Sequence, residues 1–185
     1  MDEAARRRGA QSANARWDNT VAILTGDYLF ARASDILADL GPEAVRLQAR
    51  TFERLCVGQI RESVGPRDGE APIDHHMEVL ADKTGSLIAT SARFGAMQSG
   101  ADEGTAEALA RYGERIGVAF QLVDDLVDIE SDSSASGKTP GTDLREGVPT
   151  LPGLPGLANG EAADGRVRDL LVRPLTDDEE HQEAL

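Results

Sequence analysis

The stretch from Glu103 to about Ile129 constrains the fold of this chain more than any other feature of the sequence. Its apolar residues recur at three- and four-residue spacings, which is the period of an α-helix. They are Leu109, Tyr112, Ile116, Phe120, Leu122, Val123, Leu126 and Val127. An apolar surface of this breadth is too wide for a helix that faces water. We therefore predict a long helix at the centre of a helical bundle.

Other stretches show the same helical period and are separated by Gly-Pro or Ser-Gly pairs. The predicted helices run from Asn14 to about Asp39, from Glu43 to about Ser63 and from Pro72 to Gln98, with short pieces at 164–173 and 176–185. Residues 131–165 are rich in Ser, Gly and Pro and are predicted to be mostly loop. No alternating strand pattern is longer than a few residues. Residues 1–185 are predicted to form part of a single all-α domain.

Composition narrows the functional class. A formal net charge of -14, from 33 acidic and 19 basic side chains, argues against a nucleic-acid partner. The single cysteine, Cys56, excludes an internal disulfide and favours a reducing compartment, with the cytoplasm as the default. No apolar run approaches the roughly 20 residues that span a bilayer, so no membrane span is expected.

Three aspartates interrupt the apolar surface of the long helix in the segment Phe120-Gln121-Leu122-Val123-Asp124-Asp125-Leu126-Val127-Asp128. Asp124 and Asp128 are four residues apart and share a helix face, while Asp125 flanks them. Three carboxylates repel one another, which destabilises an apolar helix unless a cation is bound. Hard oxygen ligands suit Mg²⁺, which commonly bridges carboxylates to substrate phosphates. The alternative is a solvated acidic turn, but the surrounding Leu and Val residues favour the metal site.

Cationic residues that could bind a phosphate group lie in two other segments. Asp2 is followed within two helical turns by Arg6, Arg7 and Arg8, whose planar guanidinium groups match phosphate oxygens. A basic run near a terminus is, however, usually a solvated tail. Lys83 and Thr84 precede Gly85, a glycine within a predicted helix that indicates close packing or backbone approach.

Taken in order, these segments resemble the trans-isoprenyl diphosphate synthase (polyprenyl synthetase) family. That family carries two aspartate-rich motifs on facing helices, and the second matches Phe120-Gln121-x-x-Asp124-Asp125-x-x-Asp128 in full. Its first motif ends in a pattern that fits Asp2, Arg7, Arg8 and Gly9. Further matches are Gly26-Asp27-Tyr28-Leu29, Lys83-Thr84, Gly137-Lys138, the run from Asp143 to Gly147, and Thr150-Leu151-Pro152.

The resemblance implies an all-α isoprenoid synthase-type bundle around a central cavity, and a role for each matching residue. Mg²⁺ ions would be bound by Asp2, Asp124 and Asp128, with Asp125 supporting the site. The allylic diphosphate would be contacted by Arg7, Lys83, Thr84, Gln121 and Lys138, and isopentenyl diphosphate by Arg8. The implied reaction lengthens an allylic prenyl diphosphate by isopentenyl units. The resemblance also implies a homodimer, and at most a peripheral contact with a membrane through the lipid product.

Two other functions and one structural expectation accompany this interpretation. A terpene cyclase shares the fold, but usually lacks the Arg-Arg-Gly and Lys-Thr elements and the third aspartate. A non-catalytic subunit of a heteromeric prenyl synthase typically loses one acidic motif, whereas Asp124-Asp125-x-x-Asp128 is intact. The leading aspartates of the first motif would precede Met1. We therefore expect a partial chain without the family's N- and C-terminal segments, inactive on its own.

Two histidines, His75 and His76, adjoin the start of a predicted helix and are expected to be exposed. Neighbouring residues on a helix do not share a face, so a joint metal-binding role for them is not favoured.

Overall fold

The computed structural model of the chain describes residues 6–7, 10–130, 140–147, 150–154, 165–171 and 173–185. Within these ranges the elements are β1 Arg6–Arg7, β2 Ala10–Gln11, α1 Ala13–Trp17, α2 Asn19–Ala38, α3 Pro42–Val64, α4 Pro72–Leu80, a π-helical turn Ala81–Gly85, α5 Ser86–Ser99, α6 Glu103–Glu130, α7 Thr142–Glu146, α8 Gly165–Leu171 and α9 Asp178–Ala184. The two strands pair antiparallel. The arginine run, predicted on helical turns, therefore begins in a strand at Arg6 and Arg7.

The chain forms two compact units, Met1–Arg50 and Thr51–Leu185. In the first unit the predicted helix from Asn14 is interrupted at Asp18, which has φ 85° and ψ 167°. Side chains other than glycine rarely adopt this conformation, because Cβ crowds the backbone. The Asp18 carboxylate accepts a hydrogen bond from the backbone N–H of Val21 at 3.0 Å and so caps α2. Capping by this short acidic side chain therefore divides the predicted helix into two.

In the second unit α4, the π-helical turn and α5 follow one another without a break, in agreement with the helix predicted from Pro72 to Gln98. The helix ends at Gly100, which takes the left-handed conformation at φ 78°. The returning helix, α6, packs against this segment in the antiparallel direction. Successive contacts join Ala89 to Gly113, Gly85 to Gly117 and His76 to Asp125. This antiparallel helix pair, residues 72–99 and α6, positions the acidic motif.

We expected α6 to lie at the centre of a bundle, but within the described residues only one face of the helix is buried. Its buried face consists of small and acidic residues, namely Ala106, Gly113, Gly117, Asp125 and Asp128. Large apolar side chains on a different face remain exposed, with Phe120 at 63% and Val123 at 56%. The prediction from periodicity identified the helix correctly. Within the described residues, the face that packs is the one that carries the glycines, where the helix backbones approach closely.

A separate small core lies near the end of the chain. It contains Leu144, Leu170 and Leu175, which are buried together, with Leu171 packed against them. In the part of the chain that the structure describes, no helix is both long enough and apolar enough to cross a membrane.

Candidate functional site

Glycine contacts bring the acidic end of α6 close to the segment that carries Lys83 and Thr84. A Cβ atom built on Gly117 would lie 2.7 Å from the Cα atom of Gly85. One built on Gly113 would lie 2.9 Å from the carbonyl oxygen of Ile88. Only glycine allows backbones to approach this closely. The close backbone approach predicted at Gly85 is therefore confirmed.

The first contact of the acidic motif joins Asp125 to a histidine. Asp125 is 4% exposed, and its Oδ2 atom lies 3.0 Å from Nε2 of His76 on α4. An ionised carboxylate can only accept a hydrogen bond, so Nε2 of His76 is the donor. A buried carboxylate is costly unless it is paired in this way. Asp125 therefore serves to join the two helices of the pair.

The prediction that His75 and His76 are exposed is wrong. Both are buried, because successive helix residues lie about 100° apart and each histidine meets a different neighbour. His76 is directed to α6, whereas Nδ1 of His75 lies 3.3 Å from Oε2 of Glu70 in the loop before α4. One sequence signal could have identified His76. It stands eight residues before Thr84, a spacing that places both on one helix face.

Asp128 is buried by a different part of the chain. Its backbone carbonyl accepts a hydrogen bond from the N–H of Gly141 at 2.7 Å. Its Oδ2 atom accepts one from the N–H of Asp143 at 3.1 Å. On the other side of this turn, Nε2 of His181 lies 2.9 Å from the carbonyl oxygen of Gly141, which can only accept. A buried histidine of α9 thus holds the turn that covers Asp128, a link that sequence reasoning missed.

Two of the predicted diphosphate-binding residues, Thr84 and Gln121, are in contact. The Thr84 hydroxyl donates to Oε1 of Gln121 at 3.1 Å, one helical turn before Asp125. Thr84 and its neighbour Lys83 lie in the π-helical turn, an irregularity that is frequent at functional sites. Periodicity did not predict this turn, since a single extra residue leaves the helical pattern almost unchanged.

Lys83 is paired with a carboxylate. Its Nζ atom lies 2.5 Å from Oε2 of Glu62 on α3, and the Gln59 amide donates to the same oxygen at 2.8 Å. Both side chains of the ion pair are about one-third exposed, at 31% and 29%. An ion pair with this exposure is weak enough for a phosphate group to compete for the ammonium.

A further cation ties α3 to the helix pair beside this site. The Arg54 guanidinium donates from Nε to Oδ1 of Asp82 and from Nη2 to Oε1 of Glu114, both at 2.9 Å. The hydrogen bond that Arg54 donates to Glu114 raises the pKa of Arg54 above its usual value, as does the one to Asp82, while burial lowers it. Sequence analysis did not identify this triad.

Asp124 is exposed, in contrast to Asp125 and Asp128. Its carboxylate is therefore accessible to a cation, and a carboxylate is a ligand type that Mg²⁺ prefers. Among the residues that the structure describes, no group of three or more His, Cys, Asp and Glu side chains has the arrangement of a metal site. Asp2, the predicted ligand from the first motif, lies outside the described residues.

Several other predicted contacts also fall outside what is described. They are Arg8, Lys138 and the side chain of Arg7, whose backbone forms part of β1. The distance between Asp2 and Asp124 and the roles of these residues stay predictions. The donor set that is described, Asp124 beside Asp128, fits a hard divalent cation in its chemistry.

A family model described as Polyprenyl synthetase matches residues 1–185. Nonaprenyl diphosphate synthase of Mycobacterium tuberculosis (strain ATCC 25618 / H37Rv) is 52% identical over 185 residues, which are 100% of this chain and 55% of that protein. Dimethylallyltranstransferase of the same organism is 42% identical over 96% of this chain and 54% of its own length. The chain therefore spans about half the length of the curated relatives it matches.

Solved structures agree with this comparison. Geranylgeranyl pyrophosphate synthase from Corynebacterium glutamicum, complexed with calcium and isoprenyl diphosphate, matches with a TM-score of 0.79 and 47% identity over 94% of this chain and 54% of that chain. Polyprenyl synthase from Caulobacter crescentus CB15, also complexed with calcium and isoprenyl diphosphate, matches with a TM-score of 0.85 and 30% identity over 96% of this chain and 55% of that chain. The predicted all-α isoprenoid synthase fold is thereby confirmed. From its ordered motifs, its fold and a family match along its whole length, we conclude that the chain belongs to the polyprenyl synthetase family.

Proposed function

We propose that the protein carrying this chain is a magnesium-dependent trans-prenyltransferase, which condenses an allylic diphosphate with isopentenyl diphosphate to give longer polyprenyl diphosphates. One observation carries the proposal. The antiparallel helix pair brings the acidic motif of α6 to the same end as Lys83 and Thr84, where Thr84 contacts Gln121. The names of the relatives, nonaprenyl diphosphate synthase and dimethylallyltranstransferase, support prenyl transfer over cyclisation or a non-catalytic role.

In this proposal Asp2, Asp124 and Asp128 hold the metal, and Asp125 supports them from the interface with α4. When bound, the Mg²⁺ ions neutralise the diphosphate and stabilise the charge of the leaving group. The two solved structures, which are complexed with calcium and isoprenyl diphosphate, support a divalent cation at such a site. The magnesium preference follows from the family resemblance.

Cationic and polar side chains bind the two substrates. Arg7, Lys83, Thr84, Gln121 and Lys138 would contact the allylic diphosphate, and Arg8 the diphosphate of isopentenyl diphosphate. Lys83 would exchange its ion pair with Glu62 for one with a phosphate oxygen. Fixed cations placed where charge develops stabilise a departing diphosphate, because they need no reorganisation during the reaction.

The bond changes are those that the family resemblance implies. The allylic C–O bond breaks, and diphosphate leaves with the electron pair. The double bond of isopentenyl diphosphate attacks the allylic cation to form a new C–C bond, and a proton is lost to the departing diphosphate. We also propose a cytoplasmic homodimer with a single isoprenoid synthase domain, which touches membranes only through its lipid product. Family membership and the acidic composition with one cysteine support this assignment.

The test uses an extended protein, in which this chain is joined to the flanking segments of the 52% identical relative. Incorporation of radiolabelled isopentenyl diphosphate is measured with each allylic primer and saturating Mg²⁺. Asp124→Ala is expected to lower turnover about 100-fold or more, since an interaction made in the transition state is lost. Glu107→Ala is the control, because Glu107 is also an exposed acid on α6. Near-normal turnover of Asp124→Ala would remove this residue from the catalytic site.

The same assay separates the alternatives. A terpene cyclase would consume the allylic diphosphate without incorporating isopentenyl diphosphate, and a non-catalytic subunit would do neither. The chain by itself, assayed beside the extended protein, is expected to be inactive.

Substrate assignment is tested with three single variants of the extended protein. Lys83→Ala and Arg7→Ala are expected to weaken binding of the allylic substrate more than binding of isopentenyl diphosphate. Arg8→Ala is expected to do the reverse. Loss of a charge-assisted contact costs about 1.5 to 3 kcal/mol. Glu62→Gln is a matched control for Lys83→Ala, because it breaks the same ion pair and keeps the cation. Equal effects on both substrates would contradict the assignment.

A further inference from the structure

We propose that His76 is a positioning residue for the acidic motif, which it holds by its hydrogen bond to Asp125. This inference rests on the proposed function of the motif. His76 is separated from Asp125 by 49 positions in the chain, and the side chains of the pair are 10% and 4% exposed. The contact is therefore a tertiary one, inside the helix pair, and water does not compete for it.

The geometry of a helix explains how this contact directs Asp124. Successive residues of an α-helix are rotated by about 100° around its axis. A hydrogen bond that fixes Asp125 against α4 therefore fixes the direction of its neighbour Asp124, which remains exposed. Rotation of the end of α6 would bury Asp124 or withdraw it from the cation. His76 thus keeps Asp124 accessible to the metal, without contacting the metal.

A second contact holds α6 in the same orientation about its axis. Thr84 contacts Gln121, four residues before Asp125 and on the same side of α6. His76 and Thr84 belong to one continuous helical segment, so they hold two successive turns of α6 against a single partner. Gly85 and Gly117 keep the two backbones close enough for both hydrogen bonds to form.

The chemistry of the donor allows His76 to be tested separately from its volume. Nε2–H of His76 is the group that reaches Asp125, and the amide nitrogen of glutamine occupies a similar position along the side chain. His76→Gln should keep the hydrogen bond, whereas His76→Phe should fill the space and lose the donor. His75→Phe is the matched control, because His75 is an equally buried neighbour whose Nδ1 atom lies near Glu70.

The experiment measures metal binding without turnover as well as activity. Binding of Mn²⁺ in the presence of inorganic pyrophosphate is followed by electron paramagnetic resonance in the extended protein. The Mg²⁺ concentration for half-maximal prenyl transfer is measured in parallel. His76→Phe is expected to weaken metal binding and activity about 10- to 100-fold, the usual effect of losing a group that orients a metal ligand. His76→Gln should stay within about threefold of the parent, and circular dichroism checks that each variant is folded.

A double variant keeps the inference testable if His76→Phe is poorly folded. In an Asp125→Leu background the acceptor that His76 holds is gone, so adding His76→Leu should cause no further loss of Mn²⁺ binding, whereas His76→Leu alone should weaken it about 10-fold or more. Unchanged metal binding in a folded His76→Phe protein would overturn the inference. Equal losses in the Phe and Gln variants, or in His75→Phe, would also overturn it. If the parent shows no prenyl transfer, the proposed function fails while the Mn²⁺ measurements still decide the role of His76.

Discussion

The antiparallel helix pair and the C-terminal region hold opposite ends of the same acidic motif by different means. We define the C-terminal region as the described residues from 140 to 185. The helix pair fixes Asp125 through His76, and its backbones meet at Gly85 and Gly117. The C-terminal region covers Asp128 through the backbone N–H groups of Gly141, in the turn before α7, and of Asp143, in the first turn of α7.

The energetic basis of the two regions differs. Direct backbone contact in the helix pair leaves no space for an added methyl group, so the register of the two helices is strongly specified. The C-terminal region has a core of Leu144, Leu170 and Leu175 and many exposed ion pairs around Arg166 and Arg173. Exposed ion pairs contribute little to stability. We therefore expect Asp125 to be held rigidly, and Asp128 to be held by a region that opens more readily.

The largest expected effect tests the rigidity of the helix pair. Gly117→Val should destabilise the protein by about 3 kcal/mol or more, since overpacking against backbone cannot be relieved by a rotamer change. A Cβ atom at this position meets the Cα of Gly85 at 2.7 Å. Gly95→Val is the matched control, because nothing lies within 4 Å of a Cβ built there in α5. Urea denaturation measures both, and similar effects would show that the glycine contact is unimportant.

A somewhat smaller effect is expected in the core of the C-terminal region. Leu175 is fully buried, at 0% exposure. Leu175→Ala should cost about 2 to 3 kcal/mol, near the lower end for a buried leucine, because so small a core can collapse around the cavity. Native-state amide exchange should show the loss in α7 and α9 but not in α5. Loss of protection throughout α5 and α6 would mean that the two regions unfold together.

His181 tests the link between the C-terminal region and the acidic motif. His181→Leu removes the donor to the carbonyl of Gly141 and leaves that acceptor unsatisfied, at a cost of about 1 to 2 kcal/mol. Amide exchange of Gly141 and Asp143, whose N–H groups bond to Asp128, should accelerate. His181→Gln keeps a donor and should preserve protection. Unchanged exchange at Asp143 in the Leu variant would separate α9 from the motif.

The smallest expected effect is that of acidic pH on the stability of the C-terminal region. Hydrogen bonds from Arg173 and Arg166 hold the pKa values of Glu180 and Glu183, respectively, below the ordinary value of 4.5. Because these pKa values are lowered in the folded state, the stabilisation is fully present above pH 4.5 and is lost as the pH falls through the folded values. Once the measured rates are corrected for intrinsic exchange, amide exchange in α8 and α9 should therefore accelerate slightly in acid. A larger change in α5 would contradict the comparison.

Most helices and the family could be predicted from the sequence, and the reason is local. The helix predicted from Glu103 to Ile129 is observed as Glu103–Glu130, and the one from Glu43 to Ser63 as Pro42–Val64. The spacing of apolar residues and the Gly-Pro breaks predict helices well, because the conformation of a segment depends largely on its own residues. The division at Asp18 was missed, because the spacing of apolar residues does not distinguish a residue that caps a helix from one inside a helix.

The helical elements, the acidic motif with its four-residue spacing and the family of the chain could be predicted from the sequence. The burial of Asp125 and Asp128 and the exposure of Asp124 could not, because they arise from tertiary contacts. The burial of each acid depends on a partner far along the chain, His76 for one and the turn at Gly141 for the other. A helical pattern specifies the angle of a residue around its own helix. It carries no information about which distant group packs against that angle, and this packing sets the environment of a carboxylate.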